Sequence, residues 1–101
     1  MKTNPLERAA ELIEERGWCR GHFRNDDGRI CLDFALITAD LVNNERARTC
    51  VSDELAARGV LCDNLVMWND FYATEAAEVV GLLRDAARRW ETVPTGQRAA
   101  G

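Results

Sequence analysis

The sequence predicts a mainly α domain: a compact bundle of about four helices with a short hairpin or irregular insert near 20–30. Three observations carry this. Residues 6–13 and 76–90 place apolar side chains at the i, i+3, i+4, i+7 spacing of an amphipathic helix. The stretch around 30–42 is apolar on most sides, as a central helix is. Gly17 and Gly59 each follow a helical pattern at the position where a helix stops.

The first helix begins where Thr3 or Asn4 can cap it and Pro5 occupies the first helical position. Leu6, Ala9, Ala10 and Ile13 form its core stripe, and Glu7, Arg8, Glu11, Glu14 and Glu15 its solvent face. Gly17 ends it, and Trp18 is expected to fold back on Ile13. In "HFRNDDGRIC", Asp27 and Gly28 signal a tight turn. The second helix is expected over about 30–42, with Cys31, Phe34, Ala35, Leu41 and Val42 on one face. Ile30, Leu32, Leu36 and Ile37 widen that face. Asp33 and Asp40 are its only wet stripe, so it should be the most buried helix.

"NNERARTC" reads as a polar connector into a third helix over 48–58, where Gly59 lets Val60 touch Leu55. In 61–73, Asp63 can cap a short helical turn through Trp68; a short strand is the alternative. The fourth helix runs from a Thr74 cap to about Trp90. Ala76, Val79, Val80, Leu83, Ala86, Ala87 and Trp90 make its stripe. Glu75 and Glu78 near its start, and Arg84, Arg88 and Arg89 near its end, suit the macrodipole. Gly81 inside it costs roughly 1 kcal/mol against Ala, which a close helix crossing would explain. Residues 4–91 are read as one domain and 92–101 as a flexible tail.

The chain has 101 residues, 47% hydrophobic and 30% charged, an ordinary globular balance. A net charge of −4 argues against nucleic-acid binding, which runs on cationic neutralisation of phosphates. No apolar run reaches the ~20 residues of a membrane span, so no membrane partner is expected. The N-terminal stretch lacks an apolar signal-peptide core, and a cytoplasmic location follows as the expectation. The four cysteines are then free thiols rather than a disulfide framework.

Cys19 and His22 have the C-x-x-H spacing that can place two ligands on one metal. A structural zinc needs four ligands, and Cys31, Cys50 and Cys62 supply no second tight pair, so neither metal nor cofactor is expected. Cys31 near the start of the second helix, with His22 across the turn, has the parts of a nucleophile and its base, but no third residue to orient His22 is evident. A Cys19–Cys31 redox pair requires the turn to bring the two together. Trp68, Asn69 and Asp70 can present a contact surface; the preferred alternative has Trp68 in the core and its neighbours shaping the turn. Asp26 and Asp27 read as solvated turn residues. No glycine-rich phosphate loop, Gly-x-Ser-x-Gly elbow or His-Glu-x-x-His motif is present.

Two function classes follow. The first and preferred is a non-enzymatic protein-interaction module, with a second protein or a second copy as partner. The alternative is a small-ligand, metal or Cys-dependent catalytic site where 18–22 meets 68–70, built from Trp18, Cys19, His22, Trp68, Asn69 and Asp70.

The order of short motifs resembles a small uncharacterised domain family of actinobacteria and their phages. The matching positions are Gly17, Trp18, Cys19 and Gly21; Cys31, Leu32, Ala35 and Leu36; Trp68, Asn69 and Asp70; and Thr74, Glu78 and Val79. The resemblance spans most of 6–90, with 43–60 unmatched. It implies a bacterial or phage origin, a cytoplasmic domain and, for a phage protein, a host protein as partner. It implies no reaction.

Overall fold

A computed structural model of the chain describes residues 4–60, 62 and 64–92. The chain runs through α1 (Pro5–Arg16), α2 (Leu32–Ala39), α3 (Asn44–Ala57), the short α4 (Leu65–Met67) and α5 (Ala76–Thr92). One π-helical turn, Trp68–Tyr72, extends α4. Among the described residues the architecture is mainly α, as expected: four principal helices and a short helical segment at 65–72, where the sequence allows either a helical turn or a strand. α1 packs on α5 and α2, α3 packs on α5, and α2 touches α3 and α4. Among the described residues no helix is long and apolar enough to cross a membrane.

α1 forms as its sequence dictates. The Asn4 carboxamide oxygen accepts from the Leu6 and Glu7 N–H groups at 2.9 and 3.3 Å. Its Nδ2 donates to the Ala87 carbonyl and to Glu91 Oε2, both at 3.0 Å, so the same cap ties the start of α1 to the end of α5. Leu6, Ala9, Ala10, Leu12 and Ile13 are buried. Gly17 closes the helix with its N–H on the Ile13 carbonyl at 2.8 Å and a φ of +91°. A Cβ there would sit 2.9 Å from Arg29 Cγ, so both backbone and space select glycine. The chain leaves in extended form, and Trp18 pairs with Ile30 besides packing on the core.

The expected short insert near 20–30 consists of three short extended pieces around a turn. Ile30 bridges Trp18 on one side, parallel, and Arg24 on the other, antiparallel. Asn25 holds the turn: its side-chain oxygen accepts from Asp27 N–H at 3.0 Å and Arg29 N–H at 2.9 Å. Asp26 and Asp27 are exposed on it. Ile30 at the centre is fully buried.

α2 is shorter than expected. Cys31 precedes it, its sulfur accepting the Phe34 N–H at 3.3 Å as an N-cap. Asp40 ends it: Asp40 is extended and its carboxylate accepts from Asn43 N–H and Nδ2, both at 3.0 Å, which turns the chain toward α3. Leu41 and Val42, expected on the core face, therefore lie beyond the helix at 74% and 90% exposure. Asp33, expected on a wet stripe, is 4% exposed. It sits in the first turn of α2, where the helix dipole favours an anion, and is ion-paired with Arg48 of α3. Thr38 is the one exposed residue of α2.

α3 begins at Asn44 rather than 48, taking in most of the polar connector. It ends as predicted. Val60 N–H reaches the Leu55 carbonyl at 2.9 Å and Gly59 N–H the Ala56 carbonyl at 2.9 Å, with Gly59 at φ +82°. Asp63, the expected cap of the next turn, lies outside the described residues; Asn64 is the cap, its side chain accepting the Met67 N–H at 2.7 Å. The tail from 93 onward also lies outside them.

α5 buries Val79, Leu82, Leu83, Ala86 and Ala87 against α1 and α3. Gly81 is exposed and a Cβ there meets nothing within 4 Å, so no close crossing explains it. Gly81→Ala should therefore stabilise the protein by up to about 1 kcal/mol in urea titration, the helix-propensity gain with no steric cost. The start of α5 is held by Glu78, whose Oε1 accepts from Thr74 N–H at 2.7 Å and Thr74 Oγ–H at 2.8 Å. Those bonds hold the Glu78 carboxyl below its ordinary range. Because the folded value is depressed, the stabilisation is present above the unfolded carboxyl range and is lost as pH falls through the folded value. Glu78→Gln should flatten that part of the acid limb of a stability–pH profile and leave the neutral-to-basic limb parallel to wild type.

Candidate functional site

The loop after α1 meets the turn after α4 around one side chain. Asn69 has no exposed surface. It is carried inward by the π-helical turn, in which the Ala73 N–H reaches back to the Trp68 carbonyl at 2.9 Å. The wider turn puts Trp68 and Asn69 inside and leaves Phe71 and Tyr72 outside, at 77% and 51% exposure.

The Asn69 amide uses its full bonding capacity, two acceptor sites and two donors. Its oxygen accepts from Trp18 Nε1–H at 2.6 Å and from the Leu32 N–H at 3.0 Å. Its nitrogen donates to the Cys19 carbonyl at 3.1 Å and to Asp70 Oδ1 at 2.9 Å. Asp70 Oδ1 also accepts the Gly21 N–H at 2.9 Å. Arg20 closes the loop from above: its guanidinium donates to the Ala73 carbonyl and lies 5.4 Å from the centre of the Trp18 ring. The first-turn N–H of α2, the exit of α1 and the π turn are thus fastened to one another through a single amide.

Trp18, Cys19, Asn69 and Asp70 accordingly meet by direct hydrogen bonds, Cys19 through its backbone. Trp68 is buried beside them, and His22 is exposed. The Cys19 thiol reaches the His22 backbone carbonyl and the Arg29 carbonyl, each at 3.3 Å. That contact runs to the His22 main chain and moves no proton to its imidazole. Cys31, His22 and Asp70 line a shallow open groove with Gly21, Phe23 and Val66, of about 360 Å³. Burial pushes the Cys19 thiol up, and burial likewise pushes the Cys31 thiol up despite its place at a helix start. A nucleophilic cysteine needs the opposite shift. Among the described residues no three His, Cys, Asp or Glu side chains gather as a metal site.

The Leu32 N–H and Ala73 lie outside the two segments expected here, and Arg20 and Gly21 lie within 18–22 but are not among its expected site residues. Three of them act through backbone atoms, which carry no sequence signature. The apolar rim was also missed. Phe23, Val66, Met67, Phe71 and Tyr72 are 53%, 40%, 41%, 77% and 51% exposed. Its signal was available: "LVMWNDFYA" holds more large apolar side chains than one short helical turn can bury.

Asn69→Ala removes the Asn69 partner of two N–H groups, Trp18 Nε1–H and Leu32 N–H, and of the Cys19 carbonyl, at a buried site. With about 1–3 kcal/mol for each group left unsatisfied, the variant should lose at least about 3 kcal/mol, read as a fall in urea midpoint with Trp fluorescence shifting to the red. A loss under about 1 kcal/mol would mean that water replaces the amide at no cost.

No curated protein and no solved structure matches the chain. A family model does, over residues 3–89, from the cap of α1 to near the end of α5, taking in every residue of the fastening just described. The chain belongs to the family of unknown function DUF6197.

Proposed function

We propose that the protein is a small non-enzymatic protein-interaction module that binds its partner through the apolar rim beside the Asn69 fastening. The observation that carries this is the exposure of Phe23, Val66, Met67, Phe71 and Tyr72 on two segments the fastening joins. Phe23 and Val66 line one groove, and Phe23 is backed by Phe34, the ring centres 6.2 Å apart. Large apolar surface is held there by a rigid polar frame. Aromatic residues and Met are the types that protein interfaces favour, and grouped exposure of this kind marks contact sites.

The amide and the main-chain groups around it are spent on one another, which leaves few polar groups aimed at a ligand. The second reading, a small-ligand or Cys-dependent site, has in its favour the groove that Cys31, His22 and Asp70 share. The raised thiols weigh against it. A cytoplasmic setting fits the free thiols. The resemblance to domains of actinobacteria and their phages favours a host protein over a second copy as the partner.

The test is capture from an actinobacterial lysate with the wild-type chain and with Phe71→Ser, the latter shown by circular dichroism and thermal melting to be folded. A protein held by wild type and weakened at least about tenfold by Phe71→Ser is the expected outcome, since a central aromatic anchor is worth about 2 kcal/mol or more. Equal recovery by both chains, or by neither, would remove the rim as a contact surface. Doubling of the mass in sedimentation, lost in Phe71→Ser, would assign the rim to self-association instead.

A further inference from the structure

Trp18 and Ile30 form a parallel bridge in which Ile30 N–H donates to the Gly17 carbonyl and Cys19 N–H to the Ile30 carbonyl, both at 3.0 Å. Cys19 lies one residue beyond Trp18 and Cys31 one beyond Ile30. In paired extended chain the next residues along are again neighbours, and both turn to the face opposite the bridge residues. Cys31 is extended, with φ −92° and ψ 171°, which keeps it in that register before α2 begins. Adjacent extended segments lie about 5 Å apart. That spacing falls inside the roughly 4.4–6.8 Å between Cα atoms that a disulfide tolerates. Both residues are free thiols, 8% and 4% exposed. Cys31 also lines the open groove beside His22 and Phe23, so a small oxidant in the groove comes up against this residue.

We propose that Cys19 and Cys31 are a reversible redox pair that closes an intramolecular disulfide when a hydroperoxide enters the groove. The Cys31 thiolate attacks a peroxide oxygen; an S–O bond forms and the O–O bond breaks. With hydrogen peroxide the departing hydroxide takes up the proton that Cys31 lost and leaves as water. The Cys19 sulfur then attacks the sulfenic Cys31; the S–S bond forms, the S–O bond breaks, and the second hydroxide leaves as water with the Cys19 proton. Two thiols are oxidised and one peroxide is reduced to two waters. The Phe34 N–H, 3.3 Å from Cys31 Sγ, steadies the attacking sulfur at the start of α2. Burial raises both thiols, the shift that weighs against a catalytic cysteine, so the attacking thiolate is scarce at neutral pH; closure is slow there and quickens as pH rises. A small-molecule dithiol reverses it.

The full chain treated with hydrogen peroxide, alkylated and digested without reduction should yield a Cys19–Cys31 linked peptide in mass spectrometry. Folded monomer should lose the mass of two hydrogens. Cys50→Ser and Cys62→Ser should keep the link, and Cys31→Ser should abolish it. The wild-type map decides the matter even where a cysteine variant fails to fold. The oxidised chain should melt at a higher temperature than the reduced one and return on reduction, since the closure fits native geometry. Oxidation confined to Cys62, a Cys31 sulfinic acid with no link, intermolecular dimers, or a lower melting temperature on closure would each overturn the proposal.

Discussion

Asn69 is a polar amide with no exposed surface, and such a group is tolerated only where every one of its hydrogen bonds is made. Its four partners come from three parts of the chain: the loop after α1, the first residue of α2 and the turn that extends α4. Each is too short or irregular to hold its place by regular backbone pairing alone. The amide therefore does for these segments what a ladder of hydrogen bonds does within a helix. It fixes where α2 starts relative to α1, and so how α2 lies against the α1–α5 pair. It also requires the π turn, because an ordinary helical turn would change which residues of Trp68–Tyr72 face inward.

The helical frame around this point is held differently. α1 and α5 meet over a buried stripe and are tied at one end by the Asn4 cap. Their facing charges, Arg84 with Glu7 and Glu14, are exposed and add little beyond register. α3 joins α5 through Arg58 and Arg89, which share Glu54, with Arg58 also on Asp85. The ion pair of Asp33 and Arg48 is of another kind. A buried carboxylate without its cation carries a large desolvation cost, so α2 and α3 are coupled through that pair rather than merely adjacent. Apolar packing sets the bundle, and two buried polar devices, Asn69 and Asp33, set the angle and register of α2 within it.

The exposed apolar rim follows from the same constraint. Turning Trp68 and Asn69 inward commits their neighbours Val66, Met67, Phe71 and Tyr72 to the outside, on a surface that cannot shift without breaking the amide network. Rigid presentation lowers the entropy lost on binding, which is why a contact surface gains from resting on such a frame. Cys19 and Cys31 each follow a residue of one backbone bridge. Their register is set by the Trp18–Ile30 bridge, and the Trp18 ring is itself anchored on Asn69. Groove and rim are thus consequences of one local arrangement.

The sequence by itself determined what depends on near neighbours. The Asn4–Pro5 start of α1, the glycine stops at Gly17 and Gly59, the core stripes of α1 and α5 and the turn at Asp27-Gly28 all rest on contacts within a few residues, and periodicity and capping rules see those. Tertiary structure decided the rest. Asp33 reads as a wet residue until Arg48 arrives from α3, and Leu41 and Val42 read as core until Asp40 bends the chain away. The segments 18–22 and 68–70 could be named as meeting, and Trp68 could be placed in the core. That Asn69 would be the link could not be read. Its partners are an indole, two main-chain groups and a carboxylate, brought together over as many as 51 positions of separation. A hydrogen bond to a backbone atom leaves no trace in residue type, and a buried amide differs from a surface one only in what surrounds it.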